Sequence, residues 1–456
     1  MIRPPLRPLS DKEKDALIAE QADLLRQQGA MIEELVRRLN DLERRGGKAR
    51  KTSKNSHQPP SSDGPGKPNR PGGGAKKPRP SRPGVSRRLA DNPDRTERVY
   101  ASECRHCHAD VSRLSQHIRC RYDHIDLPPI RPVVTRVELM GGRCGCGRRF
   151  RAAAPASMPT GSPFGPGIRS LVTYLHHSHH VSFERLSRVM GELFGLKISE
   201  GGLTNIFKGL EGKMATACEA IAAQLRTARV VASDETTTRV SGITQWQWSF
   251  TSDKAVLHKI APSRAKSVPQ EVMAGHYPDV WISDRYAGQQ ELAKNHQVCL
   301  AHVLRDVQYA IDCGDTVFAP KIRDHLRWCI RVGHRSGDLK DGTLRAYAAK
   351  ADDKLDKILA IPTAHPAGAY LKKQIKAWRT KFFVFMTDPR VPPTNNVSER
   401  EIRPSVVFRK VTNGFRSQWG ADIHAGYRSI TGTARLRGLM PYAAIRVLVD
   451  GNFAVA

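Results

Sequence analysis

The sequence predicts a multidomain α+β protein in which small N-terminal modules precede an α/β core. Three observations support this prediction. The chain has 456 residues, enough for about two to four domains. Its composition changes abruptly after residue 45, where large apolar residues almost vanish. After residue 229, short β-type runs alternate with helical patterns, which is typical of an α/β sheet.

The charge balance indicates the class of partner. Lys and Arg number 74 against 44 Asp and Glu, a formal net charge of +30. An excess of this size favours a polyanion, with nucleic acid ahead of a membrane surface. No apolar run approaches the ~18 residues of a membrane-spanning helix, and the N-terminus lacks an apolar signal core. We therefore expect a soluble, cytoplasmic protein that binds nucleic acid.

Residues 10–44 predict a helix that begins at Ser10, because Glu13 completes a capping box. Its apolar residues recur every seven positions, at Ile18, Leu25, Ile32 and Leu39. This spacing predicts a coiled coil between two protomers, with a single helix packed on its own protein as the alternative. Residues 45–98 are rich in Pro, Gly, Ser and basic residues, so we expect a disordered linker that contacts phosphates loosely.

Two modules are predicted between the linker and the core. Within residues 99–155, four cysteines form two closely spaced pairs, Cys104 with Cys107 and Cys144 with Cys146. Such pairs predict a tetrahedral structural Zn²⁺ site, with four reduced thiols as the alternative. Residues 160–228 are helical in pattern and contain a helix-turn-helix outline typical of DNA binding, although any helical hairpin gives the same pattern.

Residues 229–420 predict the catalytic core, and residues 421–456 predict C-terminal helices. Three successive strands, a helix and a further strand follow one another, which is the order of a ribonuclease H-like fold. In that fold the first and the later strand are neighbours. Asp234 and Asp284, which end their apolar runs, are therefore expected to meet.

A third acid is expected from a helix that packs against this sheet. Glu399 lies in such a predicted helix, which starts near Asn396. Mg²⁺ and Mn²⁺ prefer carboxylate oxygens, and two such ions can assist an in-line displacement at phosphorus. One acid alone is more often a cap or an ion pair, but three together predict a divalent-metal site acting on nucleic acid.

Four blocks resemble the insertion sequence 66 family of transposases. They are Ser233-Asp234-Glu235-Thr236, Ser283-Asp284-Arg285-Tyr286-Ala287-Gly288, Cys299-Leu300-Ala301-His302, and Asn395-Asn396-Val397-Ser398-Glu399-Arg400-Glu401-Ile402-Arg403-Pro404. The resemblance implies a DDE recombinase whose metal-binding catalytic triad is Asp234, Asp284 and Glu399, with a helical insertion at about residues 305–390. This chain departs from the family pattern where Leu300 and Ala301 replace an aromatic residue and where the second cysteine pair is spaced C-x-C.

Further residues allow two interpretations each. Cys299 and His302 could form half of a metal site, but no second pair is evident, so a structural role is favoured. Basic residues surround Glu399 and could hold DNA phosphates or form a solvated face. These residues are Arg400, Arg403, Arg409 and Lys410.

The predicted function is DNA transposition by an enzyme of an insertion sequence, associated with the bacterial nucleoid. The enzyme would hydrolyse a phosphodiester at the terminal inverted repeats and transfer the freed strand to target DNA, as a homodimer and with helper proteins of the same element. The alternatives are a ribonuclease H-like nuclease without strand transfer and an inactive, zinc-containing DNA-binding regulator.

Overall fold

A computed structural model describes residues 10–46, 49–56, 58, 63, 87–128, 130–161 and 163–451, with the backbone alone at residues 13 and 36–46. The chain divides into two compact units. The larger comprises Met1–Gly66, Ala154–Leu186 and Ser199–Ala456, and the smaller comprises Lys67–Ala153 and Ser187–Ile198. None of the helices in the described ranges has an apolar stretch long enough to cross a membrane.

From residue 230 onward the described residues form three successive strands, one helix, two further strands and then helices. The strands are β1 (Gly141–Arg143), β2 (Arg149–Arg151), β3 (Val230–Val240), β4 (Ile243–Thr251), β5 (Val256–Ala261), β6 (Val280–Ser283) and β7 (Asn295–Val298). The α-helices are α1 (Asp11–Gly46), α2 (Pro166–His179), α3 (Phe183–Phe194), α4 (Glu200–Lys208), α5 (Glu211–Leu225), α6 (Ser267–Met273), α7 (Leu300–Asp312), α8 (Phe318–Gly333), α9 (Asp341–Ala360), α10 (Pro366–Ala377), α11 (Asn396–Thr412), α12 (Gln418–Leu436) and α13 (Pro441–Asp450).

The N-terminal helix presents its apolar stripe to solvent. The side chains of Ile18, Leu25 and Ile32 are each more than 60% exposed. Leu39, the fourth predicted position of the seam, lies outside the described side chains. The helix forms over Asp11–Gly46, close to the predicted residues 10–44.

Within the segment predicted to be a disordered linker, residues 49–56 make specific polar contacts. Asn55 is buried, and its side-chain amide donates to Asp312 Oδ2 at 2.8 Å. The same side chain accepts the backbone N–H of Thr52 at 2.7 Å, which closes a local turn. These hydrogen bonds hold the segment in place although it contains few apolar residues that could pack. Composition alone does not reveal such bonds.

In the smaller unit, each predicted zinc-ligand pair lies on a tight turn. β1 and β2 form a short antiparallel hairpin. Its turn is closed by the N–H of Cys144, which donates to the Arg148 carbonyl, and by Gly147, whose φ of +82° suits glycine. The other turn is closed by the N–H of Cys104, which donates to the Ala109 carbonyl at 2.9 Å.

The larger unit is built on a five-stranded sheet in the order β5-β4-β3-β6-β7. β3, β4 and β5 are antiparallel neighbours, whereas β6 pairs in parallel with both β3 and β7. The parallel register joins Val230 to Val280 and Ala232 to Ile282. The first three residues of β3 therefore each have a partner on β6, fifty positions later in the chain.

Alternation along β3 and β6 gives the sheet two buried faces. Val231 and Trp281 belong to a core that includes residues of α5, α12 and α13. Ala232 and Ile282 point to the opposite face and belong to a core with residues of α7, α8, α9 and α10. These four helices follow β7, and they begin at Leu300 rather than near residue 305, because Cys299 is already the N-cap of α7.

The outer edge of the sheet is covered by α12. The N–H groups of Val256 and His258 on β5 donate to the hydroxyls of Thr433 and Ser429 at 3.0 and 2.8 Å. These bonds satisfy edge groups that could otherwise pair with another chain. The helix begins at Gln418, three residues before the predicted boundary, because the Ser417 hydroxyl caps it by accepting the N–H of Gly420.

Close approach of α12 to β5 depends on Gly432. A Cβ atom at this position would lie 2.8 Å from Val256 Cγ1 and 2.9 Å from Glu401 Oε2. We expect Gly432→Leu to lower the free energy of unfolding by about 1–3 kcal/mol through overpacking. Gly212→Leu is the control, since nothing lies within 4 Å of a Cβ there. Urea denaturation that shows equal stability of both variants would contradict this packing.

Candidate active site

The register of the sheet places Asp234 beside the end of β6. Ala232 pairs with Ile282, and both residues point to the face covered by α7. Two positions further on, Asp234 and Asp284 emerge on that same face, because side chains alternate along a strand. Each is held by a local bond: Asp234 Oδ1 accepts the N–H of Glu235 at 2.9 Å, and Asp284 Oδ1 accepts that of Tyr286 at 2.8 Å.

The start of α11 is tied to the sheet by the buried side chain of Asn395. Its Nδ2 donates to the Ser233 carbonyl at 2.7 Å, one residue before Asp234. Its backbone carbonyl accepts the N–H of Glu399 at 3.1 Å, which forms the first turn of α11. Its own N–H donates to Cys299 Sγ at 3.1 Å. One residue thus connects β3, α11 and the start of α7.

The carboxylate of Glu399 lies next to two basic side chains of α7. Glu399 Oε1 is 3.5 Å from His302 Nε2, and Glu399 Oε2 is 3.8 Å from a guanidinium nitrogen of Arg305. His302 and Arg305 are three residues apart and therefore lie on one side of their helix. The orientation of Glu399 consequently depends on α7 as well as on its own helix.

The three predicted catalytic acids interact electrostatically. Burial raises the pKa of Asp234 well above its ordinary 3.8, and the charges of Glu235, Asp284 and Glu399 raise it further. Neighbouring negative charges disfavour ionisation, and a divalent cation would relieve that repulsion. The oxygen donors and the mutual repulsion of these acids therefore fit a hard cation such as Mg²⁺ or Mn²⁺.

Glu235 is adjacent to Asp234 but belongs to another cluster. Its carboxylate accepts a hydrogen bond from Arg264 Nε at 2.7 Å and another from Gln289 Nε2. Burial and the nearby Asp284 raise the pKa of Glu235, which Arg264 partly opposes. The Arg264 guanidinium lies 3.6 Å from the centroid of the Tyr286 ring. Glu235 thus forms an ion pair with Arg264. This agrees with strand alternation, which directs the Glu235 side chain to the face opposite to that of Asp234.

The other predicted ligands are arranged differently. In the described part of the chain, one group of metal-binding side chains has ligand atoms within 4.8 Å of one another: Cys299, His302 and Glu399. Neither the four cysteines at positions 104, 107, 144 and 146 nor the three acids Asp234, Asp284 and Glu399 form such a group among the described residues. Backbone N–H groups nevertheless lower the pKa of two of these thiols. The N–H of His106 has the largest effect on Cys104, and the N–H of Cys146 has the largest effect on Cys144.

The four basic residues predicted to bind DNA lie along α11. Arg400, Arg403 and Lys410 are exposed. Arg403 is four residues after Glu399 and therefore shares its side of the helix. Arg409 is half-buried and donates to Thr237 Oγ1 at 3.0 Å, and burial lowers its pKa. Three of the four guanidinium or ammonium groups are thus available to a ligand.

Sequence reasoning missed three residues that shape the site. For His302 the sequence favours a structural role near the active site without naming its partner, Arg305 carries no prediction, and Asn395 enters only as part of a motif. The spacing of His302 and Arg305 at i and i+3 in an amphipathic helix was a usable signal. No sequence pattern shows that Asn395 bonds to a carbonyl more than 160 residues away.

Two family models match the chain. The model described as Transposase IS66 family matches residues 161–423, which contain the sheet, α7 to α11 and all three acids. A family of unknown function (DUF6444) matches residues 1–87, which contain α1 and the turn around Asn55. No curated protein matches the chain.

Titration of Asp234 should make stability depend on pH. Between pH 3.8 and its raised pKa, folded Asp234 keeps a proton that the unfolded chain loses, so the free energy of unfolding falls as pH rises. With a chelator present, Asp234→Asn should therefore stabilise the protein more at pH 7 than at pH 4 in denaturant titrations.

Asp279→Asn is a control of opposite sign. Lys294 and Arg229 lower the pKa of Asp279 to about 2, so this carboxylate stabilises the fold above pH 4 and the substitution should weaken it there. Identical pH dependence of the two variants would refute the electrostatic account.

The connecting role of Asn395 can be tested by stability. Asn395→Ala leaves the Ser233 carbonyl without the bond from Nδ2 and should cost about 1–3 kcal/mol in the free energy of unfolding. The adjacent Asn396 is exposed, so Asn396→Ala should change stability by no more than about 0.5 kcal/mol. Thermal unfolding of both variants measures these changes. Equal losses of stability in the two variants would contradict the connecting role of Asn395.

Proposed function

Because the chain belongs to the IS66 family of transposases, we propose that it cuts DNA at the ends of a mobile element and joins the freed ends to target DNA. In the first step water attacks a phosphodiester, and the bond to the 3′ oxygen breaks to leave a 3′-hydroxyl. In the second step that hydroxyl attacks a target phosphodiester, whose own 3′ oxygen leaves. Asp234, Asp284 and Glu399 are the proposed catalytic residues.

The observation that carries this proposal is the convergence of the acids on one face of a sheet of particular topology. An antiparallel β5-β4-β3 meander continues into the parallel strands β6 and β7. This order supports a ribonuclease H-like core, in which the first strand and the first parallel strand each present an acid. Asp234 and Asp284 occupy those positions, and α11 contributes Glu399.

The three carboxylates would hold Mg²⁺ or Mn²⁺. Such an ion would supply charge stabilisation to a phosphate undergoing in-line displacement. The hydrogen bond from Asn395 to the Ser233 carbonyl anchors the start of α11 next to Asp234. His302 and Arg305 contact Glu399 and orient its carboxylate.

A cavity of about 510 Å³ lies at the end of the sheet from which β3 and β6 begin. Ala232 and Ile282, each two residues before a catalytic aspartate, contribute to its wall. Arg229, Lys254 and Arg390 also line it together with Asp253, and Arg229 and Arg390 are paired with Asp279 and Asp388. We propose that the strand passes from this cavity to the exposed Arg403 on α11, so that basic groups flank the acids on both sides.

The N-terminal modules are proposed to recognise and pair the element ends. The four cysteines on two tight turns would bind a structural Zn²⁺, helped by N–H donors that favour the thiolates of Cys104 and Cys144. The helices of residues 160–228 would contact the terminal inverted repeats. The exposed apolar stripe of α1 would pair with α1 of a second copy, because a coiled-coil seam is stable only when buried.

Substitution of each acid tests the proposed chemistry. Asp234→Asn, Asp284→Asn and Glu399→Gln should each reduce Mg²⁺-dependent cleavage and joining by at least about 10²-fold. Binding to a terminal repeat should remain. Asp324→Asn is the control, since Asp324 is exposed on α8 and pairs only with Arg323 among the described contacts.

Pre-cut element ends separate the candidate activities. Joined products from pre-cut ends support a transposase, whereas cleavage of intact ends without joined products would indicate a nuclease. Binding without cleavage in Mg²⁺ or Mn²⁺, with the element's other proteins added, would indicate a regulator and refute the proposal.

A further inference from the structure

The group formed by Cys299, His302 and Glu399 differs chemically from the proposed magnesium site. One ligand atom from each residue lies within 4.8 Å of the others. They are a thiol, an imidazole and a carboxylate, of which only the last is a ligand that Mg²⁺ prefers. Thiolate and imidazole favour Zn²⁺ and related transition-metal ions over Mg²⁺. A different ion could therefore bind next to the catalytic position.

The separation of the nitrogen and oxygen ligands suits a tetrahedral ion. Nitrogen and oxygen ligands at about 2.0–2.1 Å from Zn²⁺ are separated by about 3.4 Å along a tetrahedral edge. His302 Nε2 and Glu399 Oε1 are 3.5 Å apart. Three protein ligands with a fourth position open to solvent is a usual zinc arrangement. The other oxygen of Glu399 remains next to Arg305.

The site is held by the same contacts that order the start of α7. Cys299 is the N-cap of α7, and His302 follows within its first turn. The N–H of Asn395 donates to Cys299 Sγ, and this bond would persist to a thiolate. The Glu399 and His302 side chains are 28% and 12% exposed, so a cation from solvent can reach them.

We propose that Cys299, His302 and Glu399 bind Zn²⁺, and that this ion withdraws Glu399 from the catalytic Mg²⁺ and stops the reaction. Binding exchanges the thiol proton for the ion, so one proton is released and no redox step occurs. The inhibitory part rests on the proposed function, whereas the binding part does not. Zinc and magnesium would therefore compete for a single carboxylate.

A second Cys–His pair in the same unit provides a matched control. Cys329 Sγ lies 3.7 Å from His325 Nε2 within α8, and both residues are fully buried. No acidic side chain completes that pair into a metal-binding group among the described residues. Cys329→Ser therefore removes an equally buried thiol without touching the proposed site.

Cobalt titration of the full chain tests the binding part. Co²⁺ bound by thiolate gives a sulfur-to-metal charge-transfer absorption, to which the cysteine module also contributes. Wild type and Cys329→Ser should bind one more Co²⁺ per chain than Cys299→Ser and His302→Asn, with unchanged circular dichroism. Equal stoichiometry and equal absorption in all four folded proteins would overturn the site.

Zinc inhibition tests the functional part. At a free Zn²⁺ concentration ten times the Kd of this site, Mg²⁺-dependent cleavage by wild type and Cys329→Ser should fall about tenfold. Cys299→Ser, normalised to its own zinc-free rate, should lose less than about twofold, and raising Mg²⁺ should restore the wild-type rate. Equal inhibition of both cysteine variants would overturn the inhibitory role. A wild type without any cleavage would instead defeat the proposed function and leave the cobalt result standing.

Discussion

The arrangement of the candidate site depends on one buried amide. Asn395 donates from its side chain to the Ser233 carbonyl and from its backbone to Cys299, and it accepts the N–H of Glu399. These bonds join three segments that are far apart in the chain. Leaving a buried amide without its hydrogen bonds costs on the order of 1–3 kcal/mol. These contacts therefore fix the positions of β3, α7 and α11 relative to one another. The distance between Asp234 on β3 and Glu399 on α11 depends on these relative positions.

Electrostatic repulsion is the constraint that these contacts oppose. Burial and three nearby acids raise the pKa of Asp234, so the fold gathers negative charge at a cost to its own stability. Residues held in such unfavourable surroundings often mark functional sites. The neighbouring acids that are neutralised by their own partners have other roles: Glu235 pairs with Arg264, and Glu401 pairs with Arg428. Glu399 also lies next to basic side chains, those of His302 and Arg305, so the contrast applies to Asp234 and not to Glu399.

The sheet and its acids could be predicted from the sequence because their signals are local. Short continuous apolar runs predict β3 and β6, and each run is followed closely by an aspartate, Asp234 or Asp284. Two features were not accessible in this way. The turn around Asn55 is ordered by bonds to Asp312, and the approach of α7 to Glu399 is a tertiary contact. Both depend on polar pairs across long sequence separations, for which single residues carry no pattern. The role of the four cysteines stays a prediction.

The central claim is that Asp234, Asp284 and Glu399 share a divalent cation. Crystals of the full chain with bound Mn²⁺ test it directly, because anomalous scattering locates the ion without reference to activity. The account predicts an anomalous peak between Asp234 and Asp284 within about 2.5 Å of carboxylate oxygens of both, with Glu399 turned toward it. A peak confined to other acids, or none between these two at saturating Mn²⁺, would contradict it.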